Sequence, residues 1–233
     1  MNEVTTPRRS SALFYYLIAN DYDRSLNAVV NAVGSQEIAA GDEYPLHVHP
    51  ADYYFDMQKG RVLHEYQLLY VTQGKGTFRS AAGPSEGVTV EKGTMILLRP
   101  GELHSYCPDT STGWTEYYIG FEGAAFDRLI DRLGLGKGQQ VWPIGLHSEL
   151  TQLYRRAIEI AADNKTAPQP LLAGIVQHMI GLLNYLLRNR TGHATDLLEQ
   201  SVEKAKIIMD ERVSGEIDLN DLASKLNLSY SCF

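Results

Sequence analysis

Cysteine, positive charge and long apolar runs are all scarce in this sequence of 233 residues. Its two cysteines, Cys107 and Cys232, are too few for a disulfide scaffold or a four-thiolate zinc site, and they suit a reducing compartment. The sequence has no run of about eighteen apolar residues, so no membrane-spanning helix is predicted. The polar stretch from Met1 to Ser10 lacks the layout of a signal peptide. The sequence therefore predicts a cytoplasmic protein with no membrane partner.

Basic residues are outnumbered, with 21 Lys and Arg against 28 Asp and Glu and a net charge of −7. Nucleic-acid binding requires Lys and Arg clustered opposite phosphate, so this balance argues against DNA as a partner of the chain by itself. Hydrophobic residues make up 44% of the chain, which is enough for a packed core. That fraction excludes a wholly disordered protein.

The chain changes character near Gly123. Before it, short apolar runs bounded by Gly, Pro and Ser predict the strands of a β-barrel or sandwich. Here Gln73–Gly76 is predicted to be the turn of a tight hairpin, because Gly74 and Gly76 permit one. After Gly123 the apolar period becomes that of α-helices. Five helices are predicted, at 124–133, 147–162, 168–190, 197–212 and 219–226.

The predicted helix at 168–190 carries apolar residues at steps of three and four along about two heptads. This spacing fits two interpretations, which stay open at this point. In one, the helix packs on its own domain. In the other, it is the interface of a homodimer, and its contact residues are Leu172, Ile175, Met179, Leu182 and Leu186.

The last segment, IDLNDLASKLNLSYSCF, has the pattern of a helix-turn-helix. Leu219, Leu222 and Leu226 supply the apolar face of a short first helix, Ala223 is small where two helices approach, and Ser229 can cap the next helix. The segment resembles the first helix-turn-helix of AraC-type transcription regulators. The alternative is an ordinary helical hairpin.

This resemblance to the AraC type implies that Ser229 and Tyr230 begin a DNA-recognition helix. The family's pattern would continue beyond Phe233 into a second helix-turn-helix. The resemblance therefore implies a chain cut inside the DNA-binding domain, with operator DNA as a partner of the full-length protein only.

The first half of the chain resembles the sensor domain of the same family. The resemblance rests on three segments, EYQLLYVTQGKGTF, GTMILLRPGELHSY and WTEYYIGFEG. It implies an α+β fold, in which a cupin-like double-stranded β-helix barrel precedes a helical dimerisation and linker region and a partial helix-turn-helix. The expected domains are residues 1–122, 123–194 and 195–233, and no cofactor is expected.

The 14 tyrosines favour a ligand with apolar ring faces and hydroxyls, such as a sugar, although Tyr is also favoured in strands for its own sake. After Trp114, strand alternation places Glu116 and Tyr118 on one face, and Tyr117 and Phe121 on the other. The resemblance implies a ligand-responsive regulator with a small-molecule partner. It implies that the pocket is lined by Gln73, Tyr106, Glu116 and Tyr118, with His104 and Trp114 at matching motif positions.

A cupin metalloenzyme of the isomerase or dioxygenase type is the alternative function. Gly41 precedes His47 and His49 at the spacing of a cupin metal motif, and His104 stands where the motif closes. The middle of the motif fails, because Gln67 occupies the position where a Glu ligand is needed. The sequence therefore predicts no bound metal and no enzyme activity, and His47, His49 and His104 remain the alternative ligand set.

Overall fold

The computed structural model describes residues 10–46, 59–81, 83–163 and 165–190. The chain divides into two units, Met1–Tyr185 and Leu186–Phe233. Apart from the last turn of one helix, every described element belongs to the first unit. The predicted helices at 197–212 and 219–226, with Ser229 and Tyr230, lie outside the described residues. The three predicted domain boundaries stay predictions.

The described strands all pair antiparallel and form two sheets that share one long strand. The larger sheet has the order β1-β2-β8-β4-β6-β9, and the smaller one joins β3, β7, β5 and the second half of β4. The strands are β1 (Ser11–Tyr16), β2 (Val29–Ile38), β3 (Arg61–Val62), β4 (Tyr66–Ser80), β5 (Val88–Glu91), β6 (Thr94–Leu98), β7 (Leu103–Pro108), β8 (Trp114–Glu122) and β9 (Val141–Pro143).

The predicted hairpin turn at Gln73–Gly76 is wrong. Strand β4 runs through this segment, and its pairing with β8 shifts register between Val71 and Gln73. Gly74 has a φ of +76°, and a side chain there would meet the backbone of Gly113 and Trp114. Gly74 thus permits a β-bulge in β4. Because bulges increase the bend and twist of a strand, β4 passes from the larger sheet into the smaller one at this point.

One buried hydrophobic cluster lies between the two sheets, in the barrel interior. The long strand contributes Leu69 and Val71 from its first half and Phe78 from its second half to the same buried cluster. Ile96 and Leu98 of β6 belong to the same buried cluster. The predicted α+β class with a cupin-like barrel is confirmed by this strand pairing and by the helices that follow the barrel.

Helices cover the outer face of the larger sheet. The described helices are α1 (Asp21–Ser25), α2 (Ala124–Arg132), α3 (Ser148–Ala162) and α4 (Gln169–Arg190). Phe126 of α2 lies edge-on to Phe121, with ring centroids 4.8 Å apart. The Tyr154 hydroxyl of α3 donates to the Leu68 carbonyl oxygen over 3.1 Å. The helices therefore close the side of the sheet that faces away from the barrel interior.

The first half of α4 belongs to the core of its own unit. Leu172 and Met179 are fully buried, and Ile175 is 7% exposed. These three residues are not available to a partner, so the predicted dimer interface is wrong for them and the intramolecular interpretation holds. Leu182 and Leu186 are only partly buried. The burial is set by packing on the neighbouring elements, which the heptad pattern alone does not reveal.

By length and composition, Gln169–Asn189 would be long and apolar enough to cross a membrane, with a mean hydropathy of 1.4. This is weak evidence for a membrane helix, because a helix that packs in the core of its own domain passes the same test. The buried side chains of Val176, Ile180 and Leu183 show that α4 packs in this way.

Candidate functional site

Strand β8 turns three of the predicted ligand-binding residues into the barrel interior. Trp114 and Tyr118 belong to the buried interior cluster, and Glu116 between them is fully buried. Tyr117 and Phe121 point to the helices instead, where Tyr117 lies 5.7 Å from the ring of Tyr154. The alternation predicted for this strand is therefore confirmed.

Glu116 is a buried carboxyl group that no described residue binds. It is 0% exposed, and within the described part of the chain neither carboxylate oxygen receives a hydrogen bond. Burial raises the pKa of Glu116 to about 8, against the lowering effect of the Arg61 guanidinium. At neutral pH the group is therefore mostly protonated, and none of the described residues satisfies its hydrogen-bonding capacity.

A cluster of Arg61, Tyr106 and Tyr44 faces this carboxyl group. Arg61 Nη2 donates to the Tyr106 hydroxyl over 2.9 Å, and its guanidinium carbon lies 5.7 Å from the centre of the Tyr106 ring. The Tyr44 and Tyr106 hydroxyls are hydrogen-bonded, and their rings lie 6.3 Å apart. Burial raises the pKa of Tyr106 to about 12, although Arg61 opposes this. The tyrosines therefore stay neutral donors and acceptors.

Sequence reasoning missed Arg61 and Tyr44. Arg61 lies in the two-residue strand β3, which is defined by its antiparallel pairing with β7. In this pairing Arg61 stands opposite His104. Two residues show no period, so no pattern signals this strand. Tyr44 lies outside the strands and reaches the site through contacts with Tyr106 and Trp114. Only the tertiary structure brings either residue to the pocket.

His104 offers an unpaired acceptor. Its Nδ1 lies 3.0 Å from the Glu102 carbonyl oxygen, which can only accept, so Nδ1 carries the proton. Its Nε2 is buried and has no partner among the described residues. Burial lowers the pKa of His104 to about 4, helped by the Arg61 charge. The ring stacks on Tyr106, at 6.4 Å and 6° between planes.

Trp114 and Tyr118 offer unpaired donors. The Trp114 Nε1 and the Tyr118 hydroxyl are buried, and neither has a partner in the described parts of the chain. A Cβ at Gly34 would lie 2.6 Å from the Tyr118 hydroxyl, so this glycine makes room for the ring. The Trp114 ring lies 5.9 Å from that of Tyr106.

Gln73 lies apart from the interior group around Glu116 and Tyr118. It is exposed and lines a cleft of about 380 Å³, whose wall also includes Trp114 and Thr115. The register shift before Gln73 sets it opposite Thr115, whereas Val71 stands opposite Glu116. Because paired residues on neighbouring strands share a face, the bulge turns Gln73 away from the interior. Gln73 is therefore not part of the buried interior group, and its role in ligand binding stays a prediction.

The barrel interior can bind a ligand with several hydroxyl groups. It combines aromatic faces with unpaired donors and acceptors, and each buried polar group left unpaired costs about 1 to 3 kcal/mol. A ligand that pairs these groups would remove that cost on binding. The five predicted residues that the structure brings together are His104, Tyr106, Trp114, Glu116 and Tyr118.

The alternative metal site is not assembled from the described residues. His47 and His49 lie outside the part that the structure describes. Within that part, no three His, Cys, Asp or Glu side chains come together as a metal-binding group. His104, buried and mostly neutral, has the geometry of a hydrogen-bonding residue.

Two sugar-operon regulators are similar to this chain. The raffinose operon transcriptional regulatory protein RafR of Pediococcus pentosaceus is 26% identical over 173 residues, which cover 71% of this chain and 60% of the relative. The lactose operon transcription activator of Staphylococcus xylosus is 25% identical over 173 residues, covering 70% and 58%. The match thus spans about three fifths of the length of these relatives.

Among solved structures, the cupin domain of Schizosaccharomyces pombe Cnp3 matches with a TM-score of 0.31 and 18% identity, over 57% of this chain and 78% of that one. The model of the AraC-like ligand binding domain matches residues 40–180, which include the barrel from β3 onward and the first part of α4. Since this match covers more than half of the chain, the protein belongs to the AraC-like ligand-binding domain family, as its sequence segments predicted.

Proposed function

We propose that this chain is the sensor part of a transcription regulator that responds to a saccharide, and that it catalyses no reaction. The observation that carries the proposal is a set of buried polar groups inside the barrel that have no partner in the described part of the chain. They belong to Glu116, Tyr118, Trp114 and His104. The family of the chain supports ligand sensing, and the two relatives named for raffinose and lactose operons support a sugar.

The chemistry of the pocket fits a neutral saccharide. Sugar hydroxyls both donate and accept, so they can pair with acceptors such as His104 Nε2 and with donors such as the Trp114 indole. The apolar faces of a sugar ring pack on aromatic rings, which Trp114 and Tyr106 supply. Glu116 is mostly protonated at neutral pH, so it supplies no negative charge that would call for a cationic sugar. The charge of Arg61 is directed at the Tyr106 hydroxyl, to which it donates a hydrogen bond.

The ligand acts by shifting a population. A saccharide that binds one arrangement of sensor and DNA-binding domain better than another favours that arrangement by the difference in binding free energy. The DNA-binding activity belongs to the whole protein, with operator DNA as its partner, and the site of action is the cytoplasm. The sensor part binds the saccharide more tightly in one of the two arrangements than in the other.

Saccharides should raise the thermal stability of this chain. A ligand at a hundred times its dissociation constant adds about 2.7 kcal/mol to the free energy of unfolding. Thermal unfolding should be followed with a panel of neutral monosaccharides, disaccharides and trisaccharides, and with sugar phosphates as a charged comparison. The variant Trp114→Ala should lose the response, whereas Tyr22→Ala, which changes an exposed residue on α1, should keep it. An unchanged unfolding temperature with every sugar would contradict the proposal.

We propose in addition that two copies pair through the exposed face of α4. This face carries Leu171 and Tyr185, which are 54% and 61% exposed, and the partly buried Leu182. Leu171→Glu should convert a dimer into a monomer, because a charge would be buried without a partner. Gln177→Glu, on another exposed side of α4, is the matched control. Light scattering after size-exclusion chromatography measures the mass. A monomeric wild-type protein would overturn this pairing.

A further inference from the structure

A second group of unpaired polar atoms lies on the inward side of strand β4 and the residue before it. Glu65 is 7% exposed and Gln67 is 4% exposed. The Oε1 atoms of both are buried, and neither has a hydrogen-bond partner within the described ranges. From the sequence, Gln67 is noted only as the residue at which the cupin metal motif fails.

The pairing of β4 with β8 places this group in the barrel interior. Leu69 and Val71 belong to the interior cluster, and strand alternation puts Glu65 and Gln67 on the same side as these two. Gln67 stands opposite Gly120, and a Cβ on Gly120 would lie 2.8 Å from the Glu65 carboxyl carbon. The Glu65 carboxyl group therefore fills the interior space that a side chain at position 120 would occupy.

Among the residues that the structure describes, one oxygen of Glu65 has a hydrogen-bond partner and the other has none. Asn31 Nδ2 donates to Oε2 over 2.6 Å, which orients the carboxyl group and leaves Oε1 unpaired. Asn31 lies where the pairing of β2 with β8 shifts register, between Val30 and Ala32. The carboxyl group is thus held by the barrel wall, as a preorganised binding group would be.

The two groups lie at opposite ends of the inward face of β8. Glu116 is opposite Val71, and Gly120 is opposite Gln67. Four residues along a strand span about 13 Å. This is longer than one pyranose ring, and Tyr118, with its own unpaired hydroxyl, lies between the two ends. A single sugar ring therefore cannot pair both groups.

We propose that Glu65 and Gln67 form a second polar subsite of the barrel, and that the ligand is a saccharide of at least two rings. One ring pairs with the group around Glu116 and Trp114, and the next ring pairs with Glu65 and Gln67. The inference rests on the proposed saccharide function and specifies the size of the sugar.

Calorimetric titration of the full chain tests this subsite. The probes are galactose and glucose, as single rings, and lactose, melibiose and raffinose, as linked rings. At least one linked sugar should bind about tenfold or more tightly than either monosaccharide, because each added neutral hydrogen bond contributes about 0.5 to 1.5 kcal/mol. A monosaccharide that binds as tightly as every linked sugar would overturn the second subsite and leave saccharide sensing intact.

Substitutions in each of the two polar groups test which group binds the second ring of a linked sugar. Gln67→Leu and Glu65→Gln should weaken the linked sugar about fivefold or more and leave monosaccharide affinity within about twofold. Trp114→Ala should weaken both classes. Glu91→Gln, an exposed carboxylate on β5, is the matched control and should change neither. Equal loss for both classes in Gln67→Leu would contradict the assignment.

Two further outcomes are distinguishable. If no sugar of either class binds to the wild-type chain, the proposed saccharide function fails, and the second subsite fails with it. If Gln67→Leu does not fold, as judged by circular dichroism, the wild-type ratio of linked to single sugars still decides for or against the second subsite.

Discussion

The unliganded protein should lose about 2 kcal/mol of unfolding free energy between pH 6.5 and pH 8, and Glu116→Gln should remove most of this loss. The cause is the buried carboxyl group of Glu116, whose pKa is about 8 in the folded chain and ordinarily 4.5. Between pH 6.5 and pH 8, the Glu116 carboxyl group is largely protonated in the folded protein and ionised in the unfolded chain. Stability from this group is complete below pH 4.5 and falls as the pH rises through 8.

His104 acts in the opposite direction at lower pH. Burial lowers its pKa from 6.5 to about 4, so the unfolded chain binds a proton that the folded chain does not. Stability from His104 is present above pH 6.5 and is lost as the pH falls through 4. Between about pH 4.5 and 6.5 the two groups offset each other, since their slopes have opposite signs. The alkaline decline therefore reports Glu116, with Glu65, whose pKa is also raised by burial, adding to it.

Urea unfolding at closely spaced pH values from 5 to 9 measures this profile. Glu116→Gln keeps the shape of the side chain and removes its titration, so its curve should be nearly flat above pH 6.5. Glu91→Gln should follow the wild-type profile, because Glu91 is exposed. A wild-type protein that gains stability from pH 6.5 to pH 8 would show that Glu116 is ionised in the folded chain. The same profile measured with bound sugar should decline less, because the ligand then pairs the carboxyl group.

Replacing Gln169 by Leu should lower the unfolding free energy by about 2 to 6 kcal/mol. Gln169 is 0% exposed at the start of α4. Its Oε1 accepts from the Val30 N–H over 2.8 Å, and its Nε2 donates to the Val30 carbonyl oxygen over 2.8 Å. Leu fills a similar volume but leaves two buried backbone groups unpaired, at about 1 to 3 kcal/mol for each.

The matched control for this change is Gln177→Leu on the same helix. Gln177 is exposed, so its replacement should change the unfolding free energy by no more than about 0.5 kcal/mol. Urea midpoints of both variants give the comparison. Equal midpoints would mean that Val30 finds other partners and that Gln169 does not attach α4 to the barrel.

Gln169 also shows where sequence patterns stop being informative. A glutamine just after Pro168, in the first turn of a predicted helix, is expected to be exposed, because most glutamines in proteins are. The pairing of β1 with β2 stops at Ala32, so β1 does not reach the Val30 backbone groups, and the buried Gln169 side chain binds them instead. This contact joins residues about 140 positions apart in the sequence.

The local pattern predicted several features because each depends on neighbours in sequence. Alternation alone placed Glu116 and Tyr118 together on β8, since successive side chains point to opposite faces. The change from strand to helix period at Gly123 was also readable, and the helices at 124–133, 147–162 and 168–190 were found within a few residues. The segments that resemble AraC-type sensors identified the family.

What the sequence by itself determined was thus the family, the change from strands to helices near Gly123, and five residues that lie together inside the barrel. The tertiary structure decided the rest. The bulge at Gly74 turned Gln73 outward, the pairing of β3 with β7 brought Arg61 to Tyr106, and the space beside Gly120 received Glu65. Each of these depends on strand register and on contacts between distant segments, and a shift of one residue reverses the face of every side chain beyond it.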